Sequence, residues 1–141
     1  MDKEAVRKHL DSYFAAFNKL DAKAVASLFA EDAIWRDLAM AREMRGRDEI
    51  AAFVAEIVAL SPDFSLTCRR IVIDGNQAAV LHDMAGHQTA EFMGYPATGG
   101  PYEVRVSSHF EFSDGMISNL TDNWNLHTLL SDLGLITLDQ K

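Results

Sequence analysis

Apolar residues recur every three or four positions near the start of the chain, a spacing typical of amphipathic helices. One such helical face carries Val6, Leu10, Tyr13, Phe14 and Phe17. The pattern breaks at Leu20, and Asp21 predicts the N-cap of a short second helix. A third helix is predicted from about Arg47 to the residue before Ser61-Pro62, because helices usually end ahead of proline.

The remaining segments alternate apolar and polar residues, as half-buried strands do. A short strand is predicted at Ala33–Asp37, followed by a loop or turn at Leu38–Arg45. The loop Tyr95–Pro101 contains two prolines and two glycines, and a last helical segment is predicted at Leu126–Leu133. Longer strands are predicted at 64–74, 77–88, 102–112 and 116–125.

Turn residues divide the four longer strands into two predicted hairpins. Asp74-Gly75-Asn76 separates the first two strands, and Ser113-Asp114-Gly115 separates the last two. Helices first and antiparallel strands afterwards predict an α+β fold, here a single domain spanning residues 1–141. A curved sheet wrapped around the N-terminal helices would enclose a cone-shaped apolar pocket, the usual setting of a small-molecule site.

Composition narrows the partners and the location that we expect. The formal net charge is −8, and no basic cluster exceeds Arg69-Arg70, which argues against nucleic acid and anionic membrane surfaces as partners. No apolar run approaches the 18 or so residues of a membrane span, and the N-terminus is polar. The single cysteine, Cys68, excludes an internal disulfide and is typical of a cytoplasmic protein.

The element order and several short motifs resemble the NTF2-like superfamily over essentially the whole chain. From Tyr13 through Phe53 the sequence is similar to bacterial ketosteroid isomerases without a gap. The resemblance implies that Tyr13 is an oxyanion-hole donor and that Asp37 is a general base. It also places Ser108 where that family has a protonated aspartic acid. The shared residues are Ser12-Tyr13-Phe14-Ala15-Ala16-Phe17-Asn18, Asp21, Leu28-Phe29-Ala30-Glu31-Asp32-Ala33, Asp37 and Gly46.

The C-terminal half is more similar to the SnoaL-like polyketide cyclases. The loop from Glu91 to Gly99 resembles a motif of that branch, and Asp114-Gly115-Met116-Ile117 and the segment 129–134 continue the match. Two positions differ from the cyclase pattern. The resemblance implies a catalytic aspartate where this chain has Asn125, and a histidine where it has Gln88.

These resemblances predict a cofactor-independent proton-transfer isomerase or cyclase that acts on a hydrophobic, steroid- or polyketide-like carbonyl compound. Asp37 would take the proton, and Tyr13, helped by Ser108, would stabilise the oxyanion. One alternative is hydration, epoxide opening or dehydration by Asp122 together with His82 or an ordered water. Another is a small-molecule-binding module without activity, since Ser108, Gln88 and Asn125 all replace proton-exchanging residues.

The sequence of the last predicted strand does not show which of its residues line the pocket. Asp122 and Trp124 share one of its faces and Thr121, Asn123 and Asn125 share the other, and a bulge would exchange the two. If Asn125 faces inward, it becomes a ligand-orienting amide. The catalytic candidates are therefore Tyr13, Asp37, Ser108 and Asp122. The substrate-binding candidates are Phe17, Trp35, Phe53, His82, Met84, Trp124 and Asn125.

Two further features concern metals and assembly. The five histidines lack metal-ligand spacing, so neither a metal nor another cofactor is expected.

Arg105, Ser107, His109 and Glu111 form a polar row on one side of their strand. We expect this row on the outer face of the sheet, either solvated or packed against a second subunit of a homodimer.

Overall fold

The computed structural model describes residues 1–137, so residues 138–141 of the predicted domain lie outside the described part. The helices are α1 (Lys3–Asn18), α2 (Ala22–Ser27), α3 (Gly46–Leu60) and α4 (Leu126–Asp132). The strands are β1 (Phe29–Asp37), β2 (Arg42–Arg45), β3 (Ser65–Asp74), β4 (Gln77–His87), β5 (Pro101–Ser113) and β6 (Met116–Trp124).

The six strands form one curved, unclosed sheet in the order β2-β1-β6-β5-β4-β3. Neighbouring strands are antiparallel except β1 and β6, which are parallel. The N-terminal helices pack against this sheet, α1 mainly on β3 and α3 mainly on β1. The predicted α+β class, with a sheet wrapped around N-terminal helices, is confirmed.

The helical faces predicted from periodicity form the core. Val6, Leu10, Tyr13 and Phe17 of α1 are buried between helix and sheet. The side chains of Asp2 and Asp21 accept hydrogen bonds from Ala5 N and Ala24 N, which caps α1 and α2. Because the caps fix where each helix begins, they also fix which side chains reach the sheet.

The segment Leu38–Arg45, predicted as a loop, instead contains β2. Its residues Arg42–Arg45 pair antiparallel with the end of β1, and Asp37 lies opposite Arg42. The Arg36 and Glu43 side chains form an ion pair of 3.1 Å across this ladder. β2 has only four residues, most of them polar, so its sequence shows no clear alternation and does not distinguish it from a loop. β1 also starts at Phe29, four residues before the predicted Ala33.

A β-bulge in β6 determines which residues of the last strand face inward. Ile117 pairs with Phe112, whereas Asn119 pairs with Glu111, so Ser118 is an extra residue in the ladder. The bulge places Asp122 on the same inward face as Ile117, where simple alternation would have placed Asn119 and Asn125.

The outward face of the sheet carries the predicted polar row. Arg105, Ser107 and His109 are exposed, and Glu111 is half-buried. On the same face Asp83 is buried between the guanidinium groups of Arg69 and Arg105, with which it forms ion pairs. Within residues 1–137, no helix has the length and apolar character needed to cross a membrane.

The contact between α1 and β3 depends on Asn18. Its carboxamide oxygen accepts from Leu66 N at 2.7 Å, and its nitrogen donates to Leu66 O at 3.0 Å. We expect Asn18→Ala to lower the free energy of unfolding by about 1–3 kcal/mol, because both backbone groups lose their partner. Urea denaturation of the wild type and the variant measures this difference in the free energy of unfolding. The exposed neighbour Lys19→Ala is the control, and equal stabilities of the two variants would contradict the assignment.

Candidate active site

A cavity of about 90 Å³ lies between the helices and the inner face of the sheet. Its wall is largely apolar, with a few polar groups at one side, as is typical of small-molecule sites. Nine of the residues singled out from the sequence line it together: Tyr13, Phe17, Trp35, Asp37, Phe53, His82, Met84, Asp122 and Trp124.

Two carboxyl groups lie side by side on the cavity wall. Asp37 ends β1, and Asp122 is its direct partner on the parallel strand β6. Adjacent strands are about 4.8 Å apart, so the two residues are close neighbours. Ser108 of β5 is the next residue across the sheet from Asp122. The three residues therefore form one polar row across three strands of an otherwise apolar face.

Each carboxyl group accepts a hydrogen bond from a tryptophan on the opposite strand. The indole Nε1 of Trp35 donates to Asp122 Oδ2 at 2.9 Å, and that of Trp124 donates to Asp37 Oδ2 at 3.1 Å. Both bonds run along the same diagonal between β1 and β6, two residues away from the direct partner. The two indoles thus orient both carboxyl groups and satisfy their own N–H donors.

The two carboxyl groups have different proton affinities. Burial and the nearby charge of Asp37 raise the pKa of Asp122 from 3.8 to about 7, although hydrogen bonds from Ser108 and Trp35 oppose the shift. Burial also raises the pKa of Asp37, but four influences oppose it: Trp124, the backbone of Met40 and Ala39, and the Arg42 charge. More groups therefore stabilise the ionised form of Asp37 than that of Asp122, and Asp122 is partly protonated at neutral pH.

Asp122 continues into a buried chain of hydrogen bonds. Ser108 Oγ donates to Asp122 Oδ1 at 2.5 Å and lies 2.8 Å from His82 Nε2. Burial lowers the pKa of His82 to about 4, so its ring is neutral at pH 7. His82 Nδ1 is the one buried side-chain nitrogen or oxygen atom within residues 1–137 without a hydrogen-bond partner.

The order of the three hydrogen-bonded residues, Asp122, Ser108 and His82, limits the chemistry that they can perform. Serine lies between the acid and the histidine, whereas a serine nucleophile needs histidine between itself and the acid. When Asp122 is ionised, Ser108 donates to it; when Asp122 is protonated, the direction can reverse and place the His82 proton on Nδ1. The arrangement can therefore position and relay the Asp122 proton, but it does not activate Ser108 for attack.

Tyr13 lies beneath this row, with its ring packed edge-on against Phe14, Phe17 and Phe110. Burial, followed by the charge of Asp122, raises the pKa of its phenol well above the usual 10.0. The hydroxyl is therefore protonated at all physiological pH values. A neutral phenol at the wall of an apolar cavity is a hydrogen-bond donor suited to a developing oxyanion.

Asn125 does not belong to the cavity, contrary to the expectation that it orients a ligand. It is exposed, and its side-chain oxygen accepts from Thr128 N at 3.3 Å, which caps α4. The bulge at Ser118 is the reason, since it directs Asp122 and Trp124 inward instead. Ser108 is buried behind the wall, where it contacts Asp122 and His82.

Other lining residues were missed from the sequence. Strand alternation could have identified Phe64, Leu66, Tyr102 and Val106, which all face inward. No periodic signal marks Met40 in the turn after β1 or Phe92 in the loop between β4 and β5. The wall also includes Ile57, Leu60, Gln88, Leu129 and Leu133.

Gln88 organises the loop that carries Phe92. Its side chain is buried and donates to Ala90 O and Pro96 O, at 3.1 and 3.2 Å, while its oxygen accepts from Thr98. Met93 and Gly94 both have positive φ in a tight turn whose ends, Phe92 and Tyr95, are paired. The cyclase resemblance implies a histidine at this position, and this chain instead has Gln88, whose amide holds the loop together.

No group of three or more His, Cys, Asp or Glu side chains in the part of the chain that the structure describes could hold a metal ion. The polar atoms at the cavity wall are instead carboxyl, phenol, imidazole and indole groups. They can donate, accept and transfer protons without another reagent.

Among known protein families, the SnoaL-like domain matches residues 10–120 of this chain. No curated protein gives a significant match to the sequence.

Several solved structures share the fold. TsrD from Streptomyces laurentii is 24% identical, with 96% of this chain and 99% of that chain covered and a TM-score of 0.85. IdmH from Streptomyces antibioticus, described as a candidate polyketide cyclase, is 26% identical over 92% and 98% of the two chains, with a TM-score of 0.79.

A third structure, from Catenulispora acidiphila, has a ketosteroid isomerase-like fold and is in complex with trimethylamine. It is 21% identical over 92% of this chain and 94% of that chain, with a TM-score of 0.83. Together these matches confirm the expected NTF2-like fold, with both ketosteroid isomerase-like and SnoaL-like neighbours.

The raised pKa of Asp122 predicts a pH-dependent stability. The folded protein retains a proton on Asp122 that the unfolded chain releases, so the contribution of Asp122 to the free energy of unfolding falls as pH rises from about 4 to about 7. The lowered pKa of His82 acts in the opposite direction over this range, so the Asp122 contribution is read from the difference between wild type and Asp122→Asn. A shift from 3.8 to about 7 corresponds to a loss on the order of 4 kcal/mol. Asp122→Asn should remove this loss, because an amide can accept from Trp35 and donate to Ser108.

Urea denaturation between pH 4 and 8 measures the effect. The exposed Asp32→Asn variant should follow the wild-type dependence. Parallel curves for wild type and Asp122→Asn would show that Asp122 does not hold a proton in the folded protein.

Proposed function

Because the chain belongs to the SnoaL-like domain family, we propose that its cavity catalyses cofactor-independent proton transfer on a hydrophobic carbonyl compound. The observation that carries the proposal is the unequal pair Asp37 and Asp122 on one apolar wall, beside a protonated Tyr13. Neighbouring titratable groups with separated pKa values are the usual means of holding a base and an acid in one site. We further propose that residues 1–141 form one domain.

Asp37 acts as the general base. Its carboxylate removes a proton from the carbon next to the substrate carbonyl, and the electrons of that C–H bond pass to the carbonyl oxygen. The raised pKa of Asp37 makes its carboxylate a stronger base than an exposed carboxylate, while the hydrogen bonds that it accepts stabilise its ionised form. Its position at the end of β1 fixes the direction from which it reaches the substrate.

Tyr13 donates a hydrogen bond to the enolate oxygen. Protonated Asp122 keeps the wall beside Tyr13 uncharged and supplies a second donor. In ketosteroid isomerases a neutral aspartic acid has this role, and the present chain has serine at the corresponding position, Ser108. Asp122, hydrogen-bonded to Ser108 at 2.5 Å, supplies the missing acid from the neighbouring strand.

The enolate has two outcomes that balance without another reagent. Asp37 can return the proton to a different carbon, which shifts a double bond. Alternatively, the enolate carbon can attack a second carbonyl of the same molecule, whose oxygen then takes the proton, which closes a ring. Both reactions need the same base and the same oxyanion donors.

A second candidate function is hydration or epoxide opening at Asp122. The series of hydrogen bonds from Asp122 to Ser108 and from Ser108 to His82 favours this function, because these residues can relay a proton to and from Asp122. In that reaction Asp122 would direct a water molecule, and Asp37 would be dispensable. A binding module without turnover would need neither carboxyl group.

We also propose a homodimer formed through the outer face of the sheet. Exposed Val72, together with the ion-paired cluster of Asp83, Arg69 and Arg105, supports a face that is partly apolar and partly charged. Sedimentation equilibrium should give twice the chain mass at micromolar concentration. A single-chain mass over that range would rule the dimer out.

Removal of the two catalytic groups tests the proposal. Exchange of the α-protons of 2-nonanone in heavy water, followed by NMR, measures the proton-transfer step. We expect Tyr13→Phe to slow it roughly 100- to 1,000-fold, the loss typical of one oxyanion donor. Asp37→Asn should slow it by roughly 100- to 10,000-fold, because the base is lost.

Tyr95→Phe and Asp32→Asn are the matched controls, since neither residue lines the cavity, and both should exchange at the wild-type rate. Exchange that survives both Tyr13→Phe and Asp37→Asn would refute the assigned roles. Binding without any exchange by the wild type would support the binding module. Hydration that persists in Asp37→Asn but not in Asp122→Asn would support the second candidate.

A further inference from the structure

A second pocket adjoins the cavity on the side of α3. Its volume is about 390 Å³, against about 90 Å³ for the inner cavity. The two share five lining residues, so they adjoin each other. The shared residues are Met40, Phe53, Ile57, Leu60 and Phe92.

The inner cavity is too small for a polycyclic ligand. An apolar cavity of about 150 Å³ holds a molecule of benzene, whereas small-molecule sites generally measure about 300–1,000 Å³. At about 90 Å³ the inner cavity accommodates the carbonyl-bearing end of a ligand. The rest of any larger ligand must lie outside it, and the outer pocket is the adjoining space of sufficient size.

The outer pocket has an apolar floor and a polar rim. Ala59 and Ala90 leave its wall open, and Met93, with 54% of its surface exposed, stands at its edge. At the rim, Arg42 Nη1 pairs with Glu56 Oε2 at 2.5 Å, and the guanidinium lies 4.9 Å from the centre of the Phe53 ring. This lining fits an apolar chain or ring system that ends in a polar group.

Flexible residues separate the two pockets. Met40 has three rotatable side-chain bonds and lies in the turn that Asp37 holds through Met40 N at 3.1 Å. Phe92 lies in the loop ordered by Gln88. Both residues line the two pockets, and the turn that carries Met40 is held by Asp37, so the boundary between the pockets lies close to the Asp37 carboxylate.

We propose that the outer pocket is a second binding subsite and that it defines the substrate class. The substrate is an elongated ketone whose reacting carbonyl enters the inner cavity and whose apolar body lies in the outer pocket, against Met40 and Phe92. The identity of the carbonyl end rests on the proposed function; the position of the body rests on the adjoining pocket alone.

Binding of two ketones of different length tests the subsite. 2-Butanone, which is smaller than benzene, carries only the carbonyl end, and 2-nonanone adds an apolar tail. Isothermal titration of the wild type should show at least tenfold tighter binding of the tailed ketone, because the tail leaves water. Ala59→Trp, which fills the outer pocket, should reduce this gain to less than threefold and leave the affinity for 2-butanone within twofold.

Ala55→Trp is the matched control, one turn earlier on α3, exposed and outside both pockets, and it should keep the full gain. Met93→Asp is an independent variant, since aspartate tolerates the positive φ of that position, and it should weaken only the tailed ketone, at least fivefold. Thermal melts establish that each variant is folded.

Equal affinity of the wild type for both ketones, including binding of neither, overturns the subsite. So does a gain that Ala59→Trp leaves intact. The exchange of α-protons, measured on the same samples, reports separately on the proposed function. A tail-dependent affinity without exchange retains the subsite and rejects the catalysis, whereas exchange without tail dependence does the reverse.

Discussion

The parallel pairing of β1 with β6 is the constraint on which the candidate site depends. It places Asp37 directly beside Asp122 and sets each indole on the diagonal that reaches the other strand's carboxyl group. Two like charges this close repel each other in an apolar wall, and this repulsion adds to burial in raising the pKa of Asp122. The indoles keep both groups pointed inward, although each group would be better solvated in water. Burial of this pair is costly, and the surrounding hydrogen bonds are what make it tolerable.

The two carboxyl groups are distinguished by their surroundings and not by their type. Asp37 lies at a strand end, where a turn supplies N–H donors and Arg42 supplies a positive charge. Asp122 lies within a strand, between Asp37 and Ser108, with fewer groups to stabilise its charge. In the proposed function, Asp122 therefore supplies an acid from the strand next to Ser108, because the strand register places the two residues side by side. The turn that holds Asp37 also affects the adjoining pockets, because it carries Met40, which lines both of them.

Much of the fold could be predicted from the sequence, because helical periodicity and the two Asp-Gly turns are local signals. The placement of Tyr13 and Asp37 in one cavity also agrees with expectation, since the helix face and the strand alternation point both inward. The sequence did not reveal β2, which is too short to alternate clearly, or the inward direction of Asp122. That direction depends on one extra residue, Ser118, whose bulge is set by pairing with β5 and has no local signature. Asn125 was misplaced for the same reason. Met40 and Phe92 come from loops, where position follows from tertiary contacts.

The central claim is that Asp37 and Asp122 divide the roles of base and acid at neutral pH. Carbon-13 NMR of side-chain-labelled aspartate, titrated from pH 3 to 9 and assigned with Asp37→Asn and Asp122→Asn, measures this directly. We expect the Asp122 carboxyl to titrate near pH 7 and the Asp37 carboxyl clearly below it. Titration of both groups below pH 5, or of Asp37 above Asp122, would contradict the account.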